Sequence, residues 1–211
     1  MSMFTDQQFQ QALKLGSSTL FEASGLKDSA LDAQIRPVWH GARIAGPAFP
    51  VSCAPGDNLG IQLAIERAPT GCVLVVTTDN FIAGYWGEVL TVYAKARGLK
   101  GLIIDGGVRD IDALESHQFP VFSRAISVRG TLKNSVFSIG QPISITGTPV
   151  HAGDFVLADT DGVIIIPASK ANDVLKKGQA REDKERAMMK QLDTGSTTVD
   201  LMGLQAMREI F

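Results

Sequence analysis

GYWGEVLTVYAKARGLKGLIIDGGVRD, residues 84–110, is the stretch that decides the fold. A glycine-bounded loop, Gly84 and Gly87, opens an amphipathic helix whose apolar positions Val89, Leu90, Val92, Tyr93 and Ala96 recur at helical spacing until Gly98 stops it. Residues 101–104 are a short apolar run ahead of Asp105-Gly106-Gly107, the pattern of a buried parallel strand that ends in a turn. The first amides of a helix have no intrahelical acceptor and carry the positive end of its dipole, so the helix after Gly87 suits a carboxylate or phosphate. Ligands of parallel sheets gather at the carboxyl ends of the strands, which is where the second turn delivers Arg109 and Asp110. Arg109 is a planar, permanent cation; Asp110 is a hard oxygen ligand suited to a divalent metal. Taken alone, Asp110 ahead of Ile111-Asp112-Ala113-Leu114 also reads as the cap of a short helix, and the Arg-Asp pair as a surface pair.

Outward from this stretch the pattern alternates. Towards the N-terminus, Thr5-x-x-Gln8 is a capping box for a helix with Phe9, Ala12 and Leu13 on one face, and Gly16 stops it before a second short helix that Gly25 closes. Residues 42–53 read as a strand bent at Gly46-Pro47, since proline is tolerated at edges and bulges. Asp57 and Asn58 cap a helix carrying Leu59, Leu63, Ala64 and Ile65, which ends ahead of Pro69. Residues 72–77 are β-branched and apolar enough for a central strand. Strand–helix–strand alternation implies a parallel sheet with right-handed crossovers.

Towards the C-terminus, residues 120–126 supply another parallel strand. From Val136 short strands follow one another between Gly140-Gln141-Pro142, Gly147-Thr148-Pro149 and Gly153-Asp154, the mark of an antiparallel meander. A long helix is expected from Ala168 to about Leu192, interrupted near Gly178. Its second half is charge-rich with few apolar anchors, so it buries little against its own domain. Residues 1–178 are expected to form one domain, with 179–211 as a helical arm of that same domain that packs on a neighbouring subunit.

Composition bounds the function. An apolar share of 45% is ordinary for a globular chain, and no run approaches the ~20 apolar residues that span a bilayer. Residues 1–11 are polar rather than an export signal, so a cytoplasmic protein without membrane partners is expected. A net charge of −2 with scattered cations argues against nucleic acid as a partner. Cys53 and Cys72 lack C-x-x-C spacing and sit beside apolar runs, as buried free thiols do. His40, His117 and His151 show no metal-ligand spacing and are assigned structural or surface roles.

The ordered set G-x-x-G-E-x-L, then A-x-x-x-G-x-x-G-x-x-x-D-G-x-x-R-D, resembles the signature of the RraA-like family. That family includes metal-dependent class II pyruvate aldolases acting on 4-hydroxy-4-methyl-2-oxoglutarate and 4-carboxy-4-hydroxy-2-oxoadipate. Residues 150–154 and 159–163 resemble its later V-x-P-G-D…D-x-x-G-V segment, with Ala152 where members usually carry proline. The resemblance spans roughly residues 16–208. It implies an α/β, three-layer β/β/α swivelling fold and a trimer or pair of trimers.

The resemblance also implies roles. Asp110 would hold a divalent cation, Mg²⁺ or Mn²⁺; Glu88 would hydrogen-bond the ion's waters; the amides of Gly87, Glu88, Val89 and Leu90 would hold the carboxylate of a small 2-oxo acid; and Arg109 would neutralise the developing enolate oxygen. Glu182 or Glu185 of a neighbouring chain would assist, though both also read as helix-surface charges in i,i+4 pairs. Cleavage to pyruvate needs its enolate stabilised by a lysine Schiff base or a metal. Lys95 and Lys100 lie near the motif, but neither occupies the two turns, so the metal route fits better. Oxaloacetate decarboxylation leaves the same enolate and needs the same site. Some RraA-like proteins are instead regulators that inhibit an RNA-processing enzyme, and these tend to lack the metal aspartate.

Overall fold

Strands form where apolar residues must be buried on both faces of a sheet. The computed structural model describes residues 3–210, so Met1, Ser2 and Phe211, the last residue of the expected arm, lie outside the described residues. In β3 (Val73–Thr77), Val73 and Val75 join one core cluster while Leu74 and Val76 join another on the opposite face. In β5 (Gly101–Val108), Ile103 joins the first and Leu102 and Ile104 the second. Such two-sided burial is why these strands read as unbroken apolar runs. They pair in parallel with each other, and with β2 (Ile44–Ser52) and β6 (Val121–Ile126) on either side. The helices α3 (Leu59–Arg67), α4 (Glu88–Ala96) and α5 (Ile111–Ser116) connect these strands and supply Ile61, Ala64, Ala94 and Leu114 to one face.

The second layer comes from the meander. β8 (Ile143–Ile145) and β9 (Thr148–Val150) form a hairpin, while β10 (Phe155–Ala158) and β11 (Val163–Ile166) pair antiparallel and attach to β2. Val156 and Ile165 face the parallel strands; Phe155, Leu157, Ile164 and Ile166 face outward under α1 (Asp6–Leu15), α2 (Ser17–Ser24) and α6 (Ala171–Asp193). The expected β/β/α layering is therefore present, with three further helices closing the outer face.

Two expectations need correction. The bent strand expected over residues 42–53 is present as β2, but Gly46-Pro47 does not interrupt it and marks a change of partner: residues 44–47 pair with β10 and residues 48–52 with β3. The proline without an N–H falls where one ladder hands over to the other. Likewise α6 runs uninterrupted through Gly178. Gly178 is buried, and a Cβ there would lie 2.3 Å from Leu20 Cδ2, so the glycine permits close packing on α2 rather than ending the helix. Beyond Gly178 no residue of α6 is buried, as its polar composition implies.

Both cysteines are free and buried, and loss of hydration pushes the Cys53 thiol up to about 12, which removes it as a nucleophile. Among the described residues no helix is long and apolar enough to cross a membrane.

Candidate active site

The site is built where β5 ends. The glycines expected to make a turn there lie inside the strand instead, which continues to Val108 with a register shift between Ile104 and Gly107. Residues 84–86, expected as a loop, form a further short strand, β4 (Gly84–Trp86), parallel to the end of β5. Close approach is the reason for the glycines: a Cβ on Gly84 would lie 2.6 Å from the Ser127 carbonyl oxygen, and one on Gly107 2.6 Å from that of Ala83. The Arg109 amide then donates to the Trp86 carbonyl at 2.8 Å, fixing the strand exit.

Asp110 follows with φ 59° and ψ 43°, a left-handed conformation. It sits at the start of α5, yet its carboxylate makes no capping bond to that helix. Its Oδ2 accepts instead from the Glu88 amide at 3.0 Å, across at the start of α4. Gly87 makes room for this, since a Cβ there would stand 2.2 Å from Asp110 Oδ2. Arg109 Nε lies 3.8 Å from the same oxygen. The Glu88 amide is thereby taken, and the free first-turn donors expected of a helix start are those of Val89 and Leu90.

These groups open on a cavity of about 440 Å³. Gly84, Tyr85, Trp86, Gly87, Val89 and Leu90 form one wall, Arg109 and Asp110 a second, Asn58 and Gln62 of the α3 start a third, and Gly130, Thr131 and Lys133 the last. Its charged lining is two cations and one carboxylate. Asn58 Nδ2 donates to the Tyr85 carbonyl at 2.9 Å and the Tyr85 hydroxyl accepts from the Gly56 amide at 2.6 Å, so the wall is braced from behind. Deeper, the buried Asp105 carboxylate accepts from Thr77 Oγ1, the Thr78 amide and Thr78 Oγ1 at 2.6–2.8 Å, pinning the end of β3 to β5.

Of the residues expected in the site, Gly87, Val89, Leu90, Arg109 and Asp110 do meet in this cavity. Glu88 is present through its amide, but its carboxylate turns to His117, with Oε1 3.2 Å from Nε2. Glu182 and Glu185 do not line the cavity in this protomer and are held in i,i+4 pairs with Arg186 at 2.9 Å and Arg181 at 2.7 Å. Lys133, Thr131 and Gln62 were not anticipated. Lys133 brings a lysine to the cavity from a loop distant from both turns.

A divalent ion fits this donor set in one manner. Among the described residues no three His, Cys, Asp or Glu side chains cluster, which excludes a zinc-type cage. Asp110 is half exposed and its protein contacts fall on Oδ2, so one carboxylate oxygen remains for an ion that keeps most of its water, the habit of Mg²⁺.

Comparison with known proteins gives the same grouping. Residues 7–165 match the family model described as RraA-like, Aldolase/RraA. A protein of Halalkalibacterium halodurans named "Putative 4-hydroxy-4-methyl-2-oxoglutarate aldolase" is 32% identical over 158 residues, 74% of this chain and 75% of that one. The crystal structure of an uncharacterized protein from Pseudomonas syringae superposes with a TM-score of 0.82 at 27% identity, over 93% of this chain and 97% of that one. Streptomyces coelicolor RraAS2, described as an unusual member of the RNase ES inhibitor RraA protein family, shares the fold with a TM-score of 0.78 at 23% identity, covering 89% and 98%.

Proposed function

We propose, on the premise that the chain belongs to the RraA-like family, that it is a lyase cleaving 4-hydroxy-2-oxo acids by retro-aldol reaction to release pyruvate, with Mg²⁺ or Mn²⁺ as cofactor. The observation that carries this reading is the Asp110 carboxylate, cradled at Gly87 beside Arg109 in a cavity otherwise lined by neutral groups and Lys133. In the reaction the C4 hydroxyl loses its proton and becomes the carbonyl of the second product as the C3–C4 bond breaks; the electron pair passes to C3 and the 2-oxo oxygen, and a proton returned to C3 from water gives pyruvate. Bound at Asp110, the ion supplies Lewis-acid stabilisation of that oxygen. The chain's own residues do the rest. The Val89 and Leu90 amides hold the C1 carboxylate, and the Arg109 guanidinium neutralises charge as it develops. Lys133 receives a second carboxylate at the far end of the substrate.

Among the described residues Asp110 is the one carboxylate in the cavity lining. The acceptor for the C4 hydroxyl proton is therefore a water molecule, or Glu182 or Glu185 of a neighbouring copy in a trimer or pair of trimers. Oxaloacetate, which leaves the same enolate on losing CO₂, is expected to be a second substrate.

The test is pyruvate release from 4-hydroxy-4-methyl-2-oxoglutarate and oxaloacetate, with and without chelator. Turnover should vanish in excess chelator and return with Mg²⁺ or Mn²⁺. Full release in chelator, or a borohydride-trapped adduct on Lys133, would overturn the metal reading. No release from either substrate, with inhibition of an RNA-processing nuclease, would favour the regulatory reading that the likeness to RraAS2 suggests.

A further inference from the structure

Residues 128–137 include no buried residue, yet this loop delivers Gly130, Thr131 and Lys133 to the cavity. Its first residues are held at Arg129, whose carbonyl accepts from the Gly84 amide at 2.7 Å and whose guanidinium lies over the Phe81 ring, and beyond Arg129 the hydrogen bonds converge on one short segment. Leu132 N donates to the Gly56 carbonyl at 2.8 Å, and the Asn58 amide donates to the Leu132 carbonyl at 3.0 Å. Between them stands Asp57, a carboxylate only 3% exposed. Its Oδ2 accepts from the amides of Asn134 at 2.6 Å and Ser135 at 3.0 Å and from Ser135 Oγ at 3.3 Å, while Oδ1 accepts from the Leu59 amide at 2.9 Å.

We propose that Asp57 is a positioning residue of the active site, fastening the Lys133 loop to the start of α3 so that the Lys133 ammonium is held where the distal carboxylate of the substrate binds. The proposal rests on the reading of the cavity as the substrate site. Only an ionised carboxylate serves here, because donors approach both oxygens. An asparagine would present its NH₂ either to the loop amides or to Leu59, leaving a donor against a donor. Burial alone would raise the pKa of this carboxyl, but the bonds from Leu59, Asn134 and Ser135 outweigh it and hold the value below the ordinary range, so the acceptor form persists at neutral pH. The brace also has a second end. Asn58, the next residue, lines the cavity and fixes the Tyr85 carbonyl opposite.

The experiment compares wild type, Asp57→Asn, Lys133→Ala and the double variant by amide hydrogen exchange and by steady-state kinetics on a 4-hydroxy-2-oxo dicarboxylate. In Asp57→Asn the Asn134 and Ser135 amides should exchange faster by about tenfold or more, since a charge-assisted acceptor is lost, while amides of β3 and β5 stay unchanged. KM should rise by roughly the same factor with kcat little altered, and the double variant should be no worse than Lys133→Ala, as expected of residues acting through one contact. Unchanged exchange in the loop, or KM effects that multiply in the double variant, would overturn the proposal. If Asp57→Asn does not fold, Ser135→Pro removes two of the loop's donors, and faster exchange is then read at the Asn134 amide, the loop donor to Asp57 that remains. Failure of the wild type to release pyruvate would sink the proposed activity, while the exchange arm still decides whether Asp57 holds the loop.

Discussion

Asp110 occupies a backbone conformation that costs an ordinary L-residue on the order of 1–3 kcal/mol, and its surroundings hold it there. Leu114 N donates to its carbonyl at 3.1 Å, and the Glu88 amide to its carboxylate. Asparagine tolerates the same left-handed region, so Asp110→Asn should keep the fold and lose the charge. Arg109→Ala removes a half-exposed side chain that the core does not use. Each is expected to lower pyruvate release by on the order of 10²-fold or more with an unchanged circular dichroism spectrum; near-normal turnover in either would show that the pocket is wrongly assigned. These residues were legible in sequence because they stand in one contiguous motif. Lys133, Thr131 and Gln62 were not, because they arrive from a loop and a helix with no local pattern pointing at the motif. Asn58 was read as a cap, yet its side chain spans to the Tyr85 carbonyl, a contact between residues far apart in the chain.

At the scale of elements, period and breaker signals place the helices and the central strands of residues 59–126, but they miss β4 at residues 84–86, end β5 early and misread faces. The apolar positions of α4 recur at helical spacing, yet Thr91 and Ala94 are its buried residues and Val89 is 80% exposed at the cavity rim. Thr91 can be buried because its hydroxyl accepts from Trp86 Nε1 at 2.7 Å and donates to the Gly87 carbonyl, a pairing invisible to hydropathy. Asp105-Gly106-Gly107 looked like a turn because glycine is a turn former, but here glycine serves contact between neighbouring strands. Gly107→Ala tests that account: the new Cβ would meet the Ala83 carbonyl oxygen and the Ser127 Cβ at 3.1 Å, and backbone cannot yield as a side-chain tip can. Overpacking of this kind costs about 1–3 kcal/mol, so the melting temperature should fall by several degrees, with activity lost as β4 shifts. An unaltered melting curve would show that close approach of β4 does not require the glycine.

For the whole molecule, the outstanding question is what covers the surfaces the protomer leaves open. No residue of α6 beyond Gly178 is fully buried, and after it Met202, Leu204, Met207 and Ile210 stand exposed. Val89, Ile126, Val128, Leu132 and Phe137 are likewise exposed on segments at or near the cavity. Apolar surface in such amounts marks an interaction site, and closed cyclic symmetry is the common way to satisfy it with copies of one chain. The cavity gives an independent reason, since among the described residues its lining has cations and one carboxylate, whereas the proposed cleavage needs a second group to accept the hydroxyl proton. In such an assembly a neighbouring copy would present Glu182 and Glu185 of its α6, which are engaged in exchangeable pairs along their own helix. Truncation after Gly178 is therefore expected to lower both the oligomer order in light scattering and the rate of pyruvate release. Substituting Glu182 or Glu185 by glutamine should lower the rate while leaving the assembly intact. A fully active monomer at micromolar concentration would rule out a shared site and require the proton acceptor to be water within each protomer's own cavity.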